Sequence, residues 1–232
     1  MENKSRFLAR IAGWLVAQLV RLWLCTLRVH VDDAHGIANP RASGSRRLIY
    51  CFWHEDLLSW ASLFRGSGVQ LLISHSRGGA VFGSMIDGLG LHASRNVGTE
   101  RNGANVGVAP DGPRGPRQEF QAGALLLASR TGMPLVAMAL AYDRPWRLAR
   151  WDRFVIPRPF SRVVLCMNKP LPVSAGAGSK SLEDQRLRVA GMMQESASRA
   201  EALLRRWRKG ERLPLVSPEA KALDALAFRK SA

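Results

Sequence analysis

Short apolar runs alternate along this chain with stretches whose apolar residues recur at helical spacing. Leu48-Ile49-Tyr50-Cys51-Phe52-Trp53 is continuously apolar, the pattern of a strand buried on both faces. A short helical stretch to about Phe64 follows, then Val69-Gln70-Leu71-Leu72-Ile73 as a second buried strand. Residues 79–89 predict a helix with Val81, Phe82, Met85, Ile86 and Leu89 on one face. Residues 104–109 predict a strand, 120–129 a helix, 134–142 a strand, and 161–167 a closing strand around Val163-Val164-Leu165. Strands separated by helices of this length imply an α/β fold, a single domain with a central, mostly parallel sheet flanked by helices. After an Ala/Gly/Ser-rich break at 174–181, Leu182, Val189, Met193, Ala200, Leu204 and Trp207 keep helical spacing, and interleaved arginines make the other face basic. That helix is expected to pack back on the sheet.

The N-terminal segment has a different pattern. Residues 7–27 are apolar apart from Arg10, Gln18, Arg21 and Thr26, with no small-residue cleavage site of the kind a signal peptide carries. Each arginine would cost about 2.5–3.5 kcal/mol near a bilayer centre, which disfavours a spanning helix. On a helix Arg6, Arg10, Arg21 and Arg28 fall within roughly 40° of one line, with Leu8, Ile11, Leu15, Val16, Leu19, Leu22 and Trp23 on the remaining faces. This suits an amphipathic helix lying in the headgroup region of a membrane; the alternative is a first helix packed on the domain with an arginine edge in water. The expected organisation is a membrane-associated helix at 1–30, an α/β domain at 31–208 and a C-terminal extension at 209–232.

Two places carry candidate chemistry. His54 stands where the 48–53 run stops, and open α/β sheets put their chemistry at strand exits. The second is Ala109-Pro110-Asp111-Gly112-Pro113-Arg114-Gly115-Pro116. Proline stiffens such a loop, glycine keeps its backbone open to a ligand, and Arg114 offers a planar cation suited to carboxylate or phosphate. Each has a plain alternative, a structural histidine and an ordinary surface loop.

Together these elements resemble the lysophospholipid acyltransferase superfamily, and in particular a bacterial branch catalogued as a domain of unknown function. The carrying residues are Phe52-Trp53-His54, Ser74-His75-Ser76-Arg77, the Pro110–Pro116 loop, and the run Trp146-Arg147-Leu148-Ala149-Arg150-Trp151-Asp152-Arg153-Phe154. In the superfamily a histidine followed by four residues and an acid deprotonates the acceptor hydroxyl, which attacks an acyl thioester. His54 matches the histidine, but Ser59 occupies the position of the acid. The resemblance implies that Arg114 grips acceptor phosphate, with Gly112, Pro113 and Gly115 shaping the loop around it. It leaves Asp111 as the remaining candidate to orient His54. Gly98-Thr99-Glu100-Arg101-Asn102-Gly103 resembles a degenerate second phosphate loop, which makes Arg101 the second contact. Only residues 104–109 separate that loop from Pro110, too few for the family's intervening helix.

Composition narrows the rest. A formal net charge of +16 calls for an anionic partner, and 47% apolar content excludes a disordered chain. Cys25, Cys51 and Cys166 form neither a disulfide framework nor a paired-cysteine metal signature. There is no Gly-x-Ser-x-Gly elbow and no phosphate-binding loop ending Gly-Lys-Ser/Thr; Gly88–Ala93 ends a helix, the wrong context for a dinucleotide fingerprint. The run 142–162 interleaves tryptophan and phenylalanine with arginine, a composition that suits a membrane-facing or lid segment, stacking on single-stranded bases, or internal contacts. The reading is a membrane-associated acyltransferase at the cytoplasmic face of a bacterial inner membrane. It takes its acyl group from coenzyme A or acyl carrier protein, needs no metal or bound cofactor, and transfers to a lysophospholipid or glycolipid hydroxyl. A catalytically inactive lipid-binding homologue and, less favoured, a basic nucleic-acid-binding protein are the alternatives.

Overall fold

The computed structural model describes residues 18–33, 35–38, 47–73, 87, 92–94, 104–174 and 179–214. Among these residues seven strands form one sheet: β1 (Arg28–Asp32), β2 (Ile49–Cys51), β3 (Gln70–Leu72), β4 (His92–Ser94), β5 (Val106–Val108), β6 (Leu135–Tyr142) and β9 (Arg162–Met167). Their order is β1-β9-β6-β2-β5-β3-β4. Every neighbouring pair is parallel except β6 with β9. A two-stranded ribbon, β7 (Trp146–Arg147) with β8 (Val155–Ile156), stands apart on the excursion between β6 and β9.

β2 is the middle strand and is buried on both faces, as its unbroken apolar run requires. The two-residue period sends Tyr50 and Phe52 to one side and Ile49, Cys51 and Trp53 to the other. On the first side lies α1 (Leu57–Leu63), whose Trp60 ring stacks between Phe52 and Phe64 at centroid distances of 4.4 and 4.7 Å. Gly107 of β5 makes room for that indole, since a Cβ there would lie 2.3 Å from it. On the second side lie α2 (Gly123–Thr131) and α3 (Ser179–Arg208). Leu125, Ala128, Val189 and Met193 pack there, while Ala200, Leu204 and Trp207 continue α3 across β6 and β9. Each buried Leu, Val or Met side chain contributes about 1.5–3 kcal/mol. This is the α/β architecture that the pattern of the chain implies, with α3 packed back on the sheet as expected.

The N-terminal segment departs from the expected boundaries. Residues 18–25 are helical, but the chain turns at Thr26 and Arg28–Asp32 enters the sheet beside β9. Arg28 is therefore a strand residue, its guanidinium 5.6 Å above the Trp207 ring, and does not extend a helical arginine line. The short alternation Val29-His30-Val31 was masked by the longer helical pattern before it. Leu24 and Leu27 join the core, so the described part of the helix is seated on the domain. No helix among the described residues is long and apolar enough to cross a membrane. Arg101, the expected helix 79–89 apart from Asp87, His75 and the extension beyond 214 lie outside the described residues, as do Arg6 and Arg10.

Candidate active site

The chemistry collects at one edge of the sheet because three parallel strands deliver it there. Cys51 of β2 pairs with Val108 of β5 and with Ala137 of β6. Counting three residues on from each of the first two gives His54 and Asp111, so the register of the ladder sets these side by side. β6 runs on past β2 to Tyr142 and releases the excursion at the same edge. The carboxyl end of an open parallel sheet is where ligands bind in such folds.

His54 opens a single 3-10 turn, His54–Asp56, that leads into α1. Its Nδ1 lies 2.8 Å from Oδ2 of Asp152, a carboxylate with no solvent exposure. The other Asp152 oxygen accepts the backbone N–H of Phe154 at 3.2 Å and faces Arg150 Nε at 3.7 Å. A carboxylate accepts and does not donate, so the shared proton sits on Nδ1 and the Nε2 lone pair is free. Among the described residues Nε2 has no hydrogen-bond partner, and the side chain is 20% exposed. Burial lowers the His54 pKa below its usual 6.5, and Arg150 adds to this against the opposing pull of Asp152. The imidazole is thus neutral at neutral pH, the state a general base requires.

Asp111 does not reach the ring. Its Oδ1 accepts the His54 backbone N–H at 3.0 Å and its Oδ2 that of Gln118 at 3.3 Å. The expectation that Asp111 steadies the imidazole is corrected: the ladder brings it beside the peptide of the adjacent turn, and the ring points instead at the excursion. Burial raises the Asp111 pKa to about 6.

Ser59 is buried in α1 beside Tyr142 and does not pair with His54. Tyr142 donates its hydroxyl proton to Asp56 at 2.9 Å, and burial pushes the Asp56 pKa well above the carboxylate range. Glu55 ties the loops together. Its Oε2 receives Arg117 at 2.7 Å and Arg147 at 3.2 Å, and its Oε1 accepts from Gln118 at 3.1 Å. One buried carboxylate so joins the histidine turn, the far end of the proline loop and the excursion.

The residues of the proline loop take different positions. Gly112 sits at φ +65°, where glycine is favoured, and its N–H is committed to Ala109 O at 3.0 Å, not open to a ligand. Gly115 lies at φ +72° against Trp151, whose ring a Cβ would approach to 2.5 Å. Trp151 also faces the imidazole at a centroid distance of 5.2 Å. Pro113 and Arg114 are exposed, and the Arg114 guanidinium has no partner among the described residues. His54, Asp111 and Arg114 therefore share one side of the sheet.

No protein-family model matches the chain. Over 142 residues it is 30% identical to an uncharacterized protein of Rickettsia prowazekii (strain Madrid E), the alignment covering 55% of this chain. The chain spans less than two thirds of that relative, 65% of its length. Among solved structures it is similar to the 1-acyl-sn-glycerophosphate (LPA) acyltransferase PlsC of Thermotoga maritima, with a TM-score of 0.47 and 18% identity, covering 80% of this chain and 82% of that one.

Sequence reasoning missed Asp152 and Trp151 as members of the site. Both lie 97 or more residues beyond His54, inside a run valued for its tryptophans and arginines. A signal was present. Asp152 is the one acid among Arg147, Arg150 and Arg153, and a buried acid needs a partner.

Proposed function

We propose that this protein is a membrane-associated acyltransferase that moves a fatty acyl group from a thioester, on coenzyme A or acyl carrier protein, to a hydroxyl of a lysophospholipid or glycolipid at the cytoplasmic face of a bacterial inner membrane. The observation that carries the reading is His54 held through Nδ1 by buried Asp152, with Nε2 turned free. In this mechanism Nε2 takes the proton of the acceptor hydroxyl as its oxygen attacks the thioester carbonyl. The new C–O bond forms, the tetrahedral intermediate collapses, and the C–S bond breaks. The imidazolium returns its proton to the departing thiolate, so no metal or bound cofactor is needed. Asp152 fixes the tautomer and balances the transient charge. Asp111 holds the histidine turn through its peptide N–H, which makes it a positioning residue in this reading. Exposed Arg114 is suited to an acceptor phosphate, and Arg101 is the candidate for a second contact.

Ser59 and the missing helix before Pro110 suggested a dead, lipid-binding homologue. The pairing of buried Asp152 with His54 speaks against the first of these grounds, because the acid absent from α1 comes from the excursion. The test is His54→Ala in full-length protein, with thiol release from acyl thioester measured against lysolipid vesicles. Turnover should fall about 10²–10⁴-fold while thermal unfolding stays close to wild type. Undiminished thiol release would remove His54 from the chemistry.

A further inference from the structure

Two segments far apart in the sequence form one outward face. On the helix at 18–25, Leu19, Leu22, Trp23 and Thr26 share one arc, roughly 100° wide at helical spacing, while Val20, Leu24 and Leu27 turn to the core. The arc abuts the 143–161 excursion: Trp23 Nε1 donates to Pro157 O at 3.0 Å, its ring meets Trp146 edge-on at 5.7 Å, and Thr26 Oγ1 accepts the Phe160 N–H at 3.1 Å. Leu19 and Leu22 nevertheless remain 66% exposed. The excursion continues the apolar surface with Trp146, Leu148 and Phe160, the last 74% exposed. Phe160 also holds φ 60°, a conformation costly for a bulky side chain, and burial repays none of it.

We propose that Leu19, Leu22, Trp146, Leu148 and Phe160 together are the docking face for an anionic lipid bilayer. Charge complementarity selects that occupant. Arg158 lies 5.3 Å over the Trp146 ring, and the two acids of the excursion are each outnumbered by cations: Asp143 is shared between Arg208 at 3.0 Å and the 81% exposed Arg144 at 3.8 Å, and Asp152 is held by His54 and Arg150. Tryptophan over arginine beside exposed leucines suits the boundary between headgroup phosphates and acyl chains. Single-stranded nucleic acid would use the arginines and rings but gains nothing from Leu19 and Leu22. The excursion that carries this face outward carries Trp151 and Asp152 inward to His54, so docking sets lipid beside the imidazole; this consequence alone rests on the acyltransferase reading.

The experiment is sedimentation of the full chain with vesicles of phosphatidylcholine, with and without phosphatidylglycerol, alongside thermal unfolding. Wild type should bind the phosphatidylglycerol vesicles and release at high salt. Phe160→Asn relieves the left-handed backbone, so its Tm should rise by about 2–4 °C while vesicle affinity falls about tenfold or more. Leu19→Glu with Leu22→Glu should lose binding without a lower Tm, and His54→Ala should bind as wild type. Equal binding by the Phe160 and leucine variants would overturn the proposal, as would no vesicle binding by wild type, or a salt-sensitive gel shift with single-stranded RNA in its place. Intact docking with no acyl transfer by wild type would leave the face standing and discard the enzyme.

Discussion

Replacing Asp152 with asparagine separates the dyad from a merely structural contact. The charge centres of carboxylate and imidazolium, with Oδ2 2.8 Å from Nδ1, lie on the order of 4 Å apart. At an effective dielectric of ~20 that attraction is about 4 kcal/mol. Arg150, 3.7 Å from the other oxygen, already offsets part of it, and an asparagine carbonyl can still accept from Nδ1. The loss of support for the imidazolium is therefore about 2–4 kcal/mol, or roughly 30- to 1000-fold in kcat. If the amide nitrogen faces Nδ1 instead, the tautomer reverses, Nε2 carries the proton, and the loss lies at the upper end. The pH profile moves too. Asp152 raises the His54 pKa by hydrogen bond and by charge, so removing it lowers that pKa further. The acid limb of kcat/KM in Asp152→Asn should shift to lower pH while the plateau drops. Thiol release followed across pH with acyl thioester and lysolipid vesicles measures both. A plateau within threefold of wild type, or a lower plateau with an unmoved limb, would refute the assignment of Asp152 to His54.

Other consequences follow from the same geometry. Glu55→Gln removes the charge that holds Arg117 and Arg147 and should cost about 1–3 kcal/mol in urea unfolding, discounted for the partial exposure of both arginines. Gly107→Ala forces a methyl to within 2.3 Å of Trp60 and should cost about 1–3 kcal/mol, seen as a lower urea midpoint with an unchanged slope. Asp111 has a folded pKa raised from 3.8 to about 6, so its stabilising protonated form is fully present below pH 3.8 and is lost as pH rises through 6. Against Asp111→Asn, wild type should lose about 3 kcal/mol of relative stability between those limits, and parallel stability–pH curves would contradict the raised pKa. His54 acts in the opposite sense: its lowered pKa adds stability that is complete above pH 6.5 and lost as pH falls through the folded value.

Much of this protein was legible where the chain speaks locally. The unbroken run 48–53 announced a central strand, and the helical spacing from 182 to 207 announced the long helix that covers β6 and β9. The proximity of His54 and Asp111 needed the register of β2 with β5, which the sequence does not state. Illegible were β1, whose three-residue alternation sat behind a stronger helical pattern, and the end of that helix, which Arg28 leaves for the sheet. Ser59 drew attention to a gap in α1 that its own neighbourhood does not fill.

Residue order by itself determined which segments are apolar, what period each follows, and hence the α/β sheet with a histidine at the mouth of its middle strand. Tertiary structure alone decided which carboxylate meets the imidazole. Glu55, Asp56, Asp111 and Asp152 were all available, and the nearest in sequence were taken by arginines, a tyrosine and a backbone amide. The choice fell to Asp152 because the excursion folds back on the sheet edge. Hydrophobic periodicity reports the environment of each element, whereas a hydrogen bond across 98 residues depends on where a long connection lands.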